Sequence, residues 1–172
     1  MANIPPLQIR HLATPDAAIY MALRLEALQR NPEAFGSTFE FENAQPLSWF
    51  EASLGRAAIF GAFLDGTLAG MAGFAPQESA KRAHKALLWG MYVRATARSA
   101  GVGKRLVASV LDQARGRVEM VQLTVVSENE AARRLYRAMG FVEYGYEKRA
   151  LKQDGKYYDD VLMVRFLEEG LS

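Results

Sequence analysis

RSAGVGKRL, residues 98–106, is the stretch on which the fold turns. Gly101 and Gly103 stand one residue apart, Arg98, Lys104 and Arg105 surround them, and apolar residues follow at Leu106, Val107, Val110, Leu111 and Ala114. Glycines at this spacing leave backbone N–H groups free to turn toward an anion. A helix opening at the same place adds the positive end of its dipole. The stretch therefore reads as a phosphate-holding loop at a helix start. Upstream, HKALLWGMYV (84–93) reads as a strand; downstream, MVQLTVV (120–126) is an unbroken apolar run, as expected of a strand covered on both faces. Strand, loop, helix, strand is a βαβ unit, so its two strands are expected to be parallel, with a right-handed crossover.

Two familiar phosphate loops fail here. A P-loop needs G-x-x-x-x-G-K-[ST]. Gly103-Lys104 could supply the G-K, but Arg98 occupies the first glycine position and Arg105 replaces the Ser/Thr that would hold Mg²⁺. A dinucleotide fingerprint needs G-x-G-x-x-G, and Lys104, Arg105 and Leu106 leave no third glycine. The pattern that fits is [RQ]-x-x-G-x-[GA], met by Arg98, Gly101 and Gly103.

Outward from this unit, LQIRHLA (7–13) reads as a first strand. Thr14 is expected to cap a helix with Pro15 at its first position. Ala18, Met21, Ala22 and Leu25 mark that helix's apolar face, and Asn31-Pro32 stops it. Residues 34–45 read as a loop, with Glu40 and Glu42 alternating with Phe39 and Phe41, and 46–54 as a short helix. AAIFGAFLD and TLAGMAGFA are strands joined by a two-residue turn at Asp65-Gly66. Beyond residue 126, Ser127 and Glu130 form a capping box. Ala131, Ala132, Leu135, Tyr136 and Met139 then repeat a helical face, and Gly140 ends it. FVEYGYEKRA and YYDDVLMVRFL are two more strands, with Asp154-Gly155 in the turn between them. The total is about seven strands and about four helices around a mixed sheet, in one domain over residues 1–172.

Composition narrows the function. Half of the 172 residues are hydrophobic and 23% are charged, as in a folded globular chain. There is no cysteine, which removes disulfides, thiolate metal sites and a cysteine nucleophile. The two histidines, His11 and His84, lie far apart, so no metal site is expected. A net charge of +2 without a basic stripe argues against nucleic acid. No apolar run approaches a membrane span, and the start MANIPPLQIR has no signal-peptide core, so a cytoplasmic location without membrane contact is expected.

In this context the loop resembles the acyl-CoA pyrophosphate loop of the GNAT superfamily of N-acetyltransferases. SENEAARRLYRAMGF (127–141) is similar to the family's second signature, with Asn129 at a helix start, Ala132 three later, then Leu135-Tyr136 and Gly140-Phe141. The close match spans roughly residues 84–145, and the element order elsewhere agrees. The resemblance implies the GNAT fold: an α/β, mostly antiparallel seven-stranded sheet whose parallel central pair splays apart. It implies acetyl-CoA as cosubstrate and no metal. Pantetheine would lie in the gap, bonded to backbone around Met91 and Val93 and met from the far side by Asn129. Arg98, Ser99, Ala100, Gly101, Val102, Gly103 and Lys104 would hold the pyrophosphate, Arg105 would help to offset its charge, and Ala132 and Tyr136 would face the arm. Many members pair as dimers, so a homodimer is an expectation.

The reaction so implied is direct attack of a primary amine on acetyl-CoA. By resemblance, the Met91 N–H polarises the thioester carbonyl and Tyr136 protonates the departing sulfur. Many members carry a base, a glutamate, four residues before the oxyanion donor; here that position is Leu87. The cost decides what this means. A lysine amine of pKa about 10.4 loses about 4 kcal/mol in becoming neutral at pH 7, an α-amine near 8 only about 1–1.5 kcal/mol. A site without a strong base suits the less basic amine of a small molecule or amino acid. Glu33, Glu40, Glu42, His84 and Asp159 remain alternative bases, each with a plain reading as a loop, strand-end or edge-strand charge. A peptide acetyltransferase and a non-catalytic acyl-CoA sensor are the rival functions.

Overall fold

The computed structural model describes residues 6–167. Seven strands make one sheet: β1 (Leu7–His11), β2 (Ala58–Leu64), β3 (Thr67–Pro76), β4 (Lys85–Val93), β5 (Met120–Val126), β6 (Val142–Gln153) and β7 (Lys156–Phe166). Their order is β1-β2-β3-β4-β5-β7-β6. The hairpin turns fall at Asp65-Gly66 and Asp154-Gly155, where both residues of each pair adopt the positive φ that a tight two-residue turn requires. β4 and β5 are parallel, as the crossover helix between them demands, and the other neighbours are antiparallel.

The helices are α1 (Ala17–Arg30), α2 (Phe39–Asn43), α3 (Leu47–Arg56), α4 (Val102–Ala114) and α5 (Glu130–Ala138), with short 3₁₀ turns at 14–16, 32–34 and 95–100. α4 buries its predicted stripe of Leu106, Val107, Val110, Leu111 and Ala114 against Phe74, Leu88, Val121, Leu123 and Met163. The opposite face carries Tyr20, Leu23 and Ala27 of α1 and Phe50 and Leu54 of α3 over Ile59, Phe63, Met71 and Tyr92.

Several local expectations are corrected. Thr14 makes no capping bond; the Asp16 carboxylate accepts the Ala13 N–H at 2.8 Å instead, held there by Arg10. The buried face of α1 is Ala17, Tyr20, Leu23, Arg24, Ala27 and Leu28. Ala18 and Ala22 are exposed, and Met21 and Leu25 only half-buried. Residues 34–45 are not all loop: Thr38 caps the short α2 by accepting the Phe41 N–H, which adds a fifth helix. The cap of α5 is Asn129, whose Oδ1 accepts the Ala132 N–H at 3.1 Å, rather than Ser127. Ala131 is exposed. β5 is fully covered on one face only: Val121, Leu123 and Val125 are buried, whereas on the other Gln122 is half-buried, Thr124 exposed and only Val126 buried.

Candidate active site

Two irregularities of β4 build the site. β4 and β5 pair only at Lys85↔Met120, Ala86↔Val121 and Leu87↔Gln122, although β4 runs on to Val93 and β5 to Val126. Beyond Leu87 the strands part. On its other edge, β4 pairs with β3 at Gly73↔Trp89 and then at Met71↔Tyr92, so Gly90 and Met91 face the single residue Ala72. This is a β-bulge, which turns backbone out of the ladder. Gly90 takes φ 62°, a conformation that favours glycine.

The parted strands open a cleft of about 760 Å³. The loop of 98–104 lines it. Gly101, at φ 72°, closes the 3₁₀ turn and starts α4, whose 13 residues direct their free N–H groups and dipole at the cleft. Gly103 is needed for a close approach: a Cβ there would come within 3.0 Å of Leu135 and 3.4 Å of Met91. Arg98 is steadied by donating its Nε–H to the Val93 carbonyl at 3.0 Å. Arg105 turns elsewhere, donating to the Leu7 carbonyl of β1. The turn after α1 also lines the cleft, with Asn31, Glu33, Ala34 and Phe35.

Of the residues predicted from sequence, Met91, Val93, Arg98, Ser99, Gly101, Gly103, Lys104, Asn129 and Ala132 line this one cleft. Val102 is buried beneath it in the core, and Ala100 is exposed beside it. Tyr136 is 5% exposed and lies edge-on to Phe141. Among the described residues its hydroxyl has no hydrogen-bond partner, and Trp89 Nε1 is the only fully buried, unpartnered side-chain polar atom. Tyr136 is not among the residues that line the cleft, and burial pushes its phenol above its ordinary value.

The alternative bases separate. Glu33 lines the cleft; Glu40 is exposed on α2; His84 sits before the far end of β4. Glu42 is buried in a two-bond pair with Arg24, at 2.9 and 2.8 Å. Asp159 accepts the Arg149 N–H and the Tyr146 hydroxyl at 2.7 and 2.6 Å, which together hold it below the usual carboxylate range. Its neighbour Asp160 is buried opposite Val126, without a hydrogen-bond partner among the described residues. Burial first, then the nearby Glu147 and Asp159, pushes its carboxyl up.

Three further residues stand at or beside the cleft without having been singled out from sequence: Phe35 lines it, and Arg24 and Trp89 adjoin the Gly90 bulge outside its lining. Arg24 lies 3.6 Å from where a Gly90 Cβ would stand, and the Phe35 and Trp89 rings flank it. The one available sign was a lone arginine inside an apolar helical segment. Among the described residues no cluster of three His, Asp or Glu side chains could hold a metal, and no helix is long and apolar enough to cross a membrane.

The parallel pair parts beside a bulge, and a glycine-started helix opens at the same cleft, so unpaired strand edges and free helix N–H groups share one opening. The acetyltransferase (GNAT) family model matches residues 22–141, more than half of the chain, and the protein belongs to that family. It is 28% identical over 161 residues to the L-amino acid N-acetyltransferase AaaT of Escherichia coli, covering 91% of this chain and 96% of that one. A shorter match, 44% over 55 residues, relates 32% of this chain to 34% of the N-alpha-acetyltransferase RimI of Mycobacterium tuberculosis. The fold superposes on a GNAT-family acetyltransferase from Streptococcus pneumoniae at TM-score 0.84 and 25% identity, covering 94% of this chain and all of that one. It also superposes on yncA of Salmonella typhimurium, solved with acetyl-CoA, at TM-score 0.79 and 20% identity, with 97% of each chain covered. The chain is thus an N-acetyltransferase that uses acetyl-CoA.

Proposed function

We propose that the protein transfers the acetyl group of acetyl-CoA directly to the primary amine of a small molecule or amino acid, with both substrates bound at once. The observation that carries this reading is the cleft itself. The basic loop of Arg98 and Lys104, Met91 of the bulge, and Glu33 and Phe35 all line it, so one opening combines a phosphate-suited loop with acidic and aromatic side chains for a second substrate.

In this reading the loop amides and the start of α4 take the pyrophosphate, and the unpaired edges of β4 and β5 take the pantetheine amides as an added strand would. Acetyl-CoA supplies the activated acyl group. The bulge presents the Met91 N–H to the carbonyl oxygen, where charge develops as the amine nitrogen bonds to the acyl carbon. As the C–S bond breaks, Tyr136 gives its proton to the sulfur. The amine's proton leaves through Glu33 or water, since Leu87 cannot accept it. The full-length relation to an amino-acid acetyltransferase supports the small acceptor. The relation to RimI favours a second reading, a protein α-amine. The lack of a membrane-spanning helix among the described residues is compatible with action in the cytoplasm.

Thiol release from acetyl-CoA, read colorimetrically, tests this with free amino acids, small amines and peptides as acceptors; the cysteine-free chain adds no background. Release with amino acids, and initial-rate lines that intersect, are expected. Release with peptides alone would move the function to protein substrates. Acetyl-CoA binding with no release from any acceptor would leave a sensor.

A further inference from the structure

Arg24 is a charged residue on the buried face of α1, 8% exposed, and Glu42 beneath it is 2% exposed. The Glu42 carboxylate accepts from Arg24 Nε at 2.9 Å and from Nη2 at 2.8 Å. That fork fixes the guanidinium plane and leaves Nη1 over. Nη1 has no hydrogen-bond partner among the described residues, and it is not enclosed either, since Trp89 Nε1 alone is both fully buried and unpartnered there. Nη1 thus offers free donors to the space beside it. Arg24 itself is not among the residues lining the cleft, but Nη1 stands against the bulge, 3.6 Å from the position of a Gly90 Cβ and one residue before Met91, which does line it. The Phe35 ring, which lines the cleft, and the Trp89 ring lie 5.2 and 5.9 Å from the guanidinium carbon.

We infer that Arg24 Nη1 receives the carboxylate of the acceptor, and that the acceptor is a free α-amino acid with an apolar side chain. The inference rests on the acetyltransferase reading above and narrows its acceptor. Amine and carboxyl carbon of an α-amino acid are held roughly 2.5 Å apart by standard geometry, so a carboxylate on Nη1 keeps the amine beside the bulge. A guanidinium already oriented by Glu42 loses little freedom on binding. Phe35 and Trp89 keep water from the contact and suit an apolar side chain. A peptide N-terminus carries an amide where the carboxylate would stand, and an amide presents no anion to this donor.

The test compares L-phenylalanine with L-phenylalaninamide on the wild-type enzyme and on the double variant Arg24→Met/Glu42→Leu, which removes the pair without stranding a charge. Wild type is expected to favour the acid by about 100-fold in kcat/KM, and the variant to bring that ratio near one, mainly by raising KM for the acid. Calorimetric binding of L-phenylalanine to the CoA-loaded protein gives a second readout, present in wild type and lost in the variant. Retained acetyl-CoA binding by the variant shows that it folds. Equal use of acid and amide by the wild type, or a preference unchanged in the variant, overturns the role of Arg24 while the transferase reading stands. Peptide acceptors alone overturn the amino-acid acceptor; no acceptor at all, with acetyl-CoA bound, overturns both readings.

Discussion

Tyr136 and Asp160 show how burial sets the work of a single group. The Tyr136 phenol is raised by burial, so it carries its proton throughout the neutral range. In the proposed reaction, a thiolate leaving into equally dry surroundings would become more basic as well, which would ease the transfer between them. Tyr136→Phe keeps the ring packed on Phe141 and removes only the donor. It should lower kcat by about 100-fold and leave acetyl-CoA affinity in place; turnover at the wild-type rate would remove the acid role. Asp160 has no basic partner and is raised by burial and by Glu147 and Asp159. An acid whose folded value lies above its unfolded value of 3.8 favours folding below that pH, and that contribution is lost as pH rises through the folded value. At pH 7 the charged group therefore weighs against the fold. Asp160→Asn should raise the thermal midpoint at pH 7, and the gain should close as the pH falls below the ordinary carboxylate range; a midpoint lowered at pH 7 would show that the carboxylate has a partner. Neither environment was legible in the sequence, where Tyr136 reads as a core aromatic from its apolar helix face and as an acid only by the family resemblance, and Asp160 as an edge-strand charge, because burial is a property of the packed neighbours.

At the scale of elements, legibility follows how one-sided the apolar pattern is. α4 has a single stripe between charged residues, and all five stripe positions proved buried. α1 is apolar over most of its surface, so the stripe read from periodicity fell a step away from the true face. The true face includes Arg24, which no apolar template selects, and its burial depends on a partner 18 residues away. That partner sits on α2, five residues long and too short for a periodic signal. The pair is therefore a fastening between α1 and α2 that sequence periodicity could not register. Glu42→Ala leaves a guanidinium buried without its counterion, a loss of about 3 kcal/mol, or about 6–12 °C in the midpoint of a chain this long. Differential scanning calorimetry measures this directly. A change near zero would mean that water or another carboxylate replaces Glu42.

Across the whole molecule, the sheet is continuous from β1 to β6 except where β4 and β5 part beyond Leu87. The loop glycines, the basic residues and the Asn129 signature marked that region in the sequence because they report local backbone geometry and charge. The group of Arg24, Phe35 and Trp89 was not marked, since these residues meet from α1, the turn after it and β4 only through the topology. The parting of β4 and β5 leaves strand edges that a ligand can satisfy, so acetyl-CoA should stabilise the fold by mass action. At a concentration about 100 times its Kd the gain is about 2.7 kcal/mol, or about 5–10 °C. Lys104 is exposed at the cleft and makes no bond to the rest of the described protein, so Lys104→Gln should leave the ligand-free midpoint where it is. Its loss should weaken acetyl-CoA binding by about tenfold, and at the same ligand concentration shrink the shift by about 3–6 °C. Added salt should reduce the wild-type shift more than the variant's, because one charge of the contact is then already missing. Thermal scans of both proteins with and without acetyl-CoA, at two salt concentrations, measure all four quantities together. An undiminished, salt-insensitive shift in Lys104→Gln would place the pyrophosphate on the backbone amides of 99–103 and Arg98 alone, with Lys104 a bystander at the mouth.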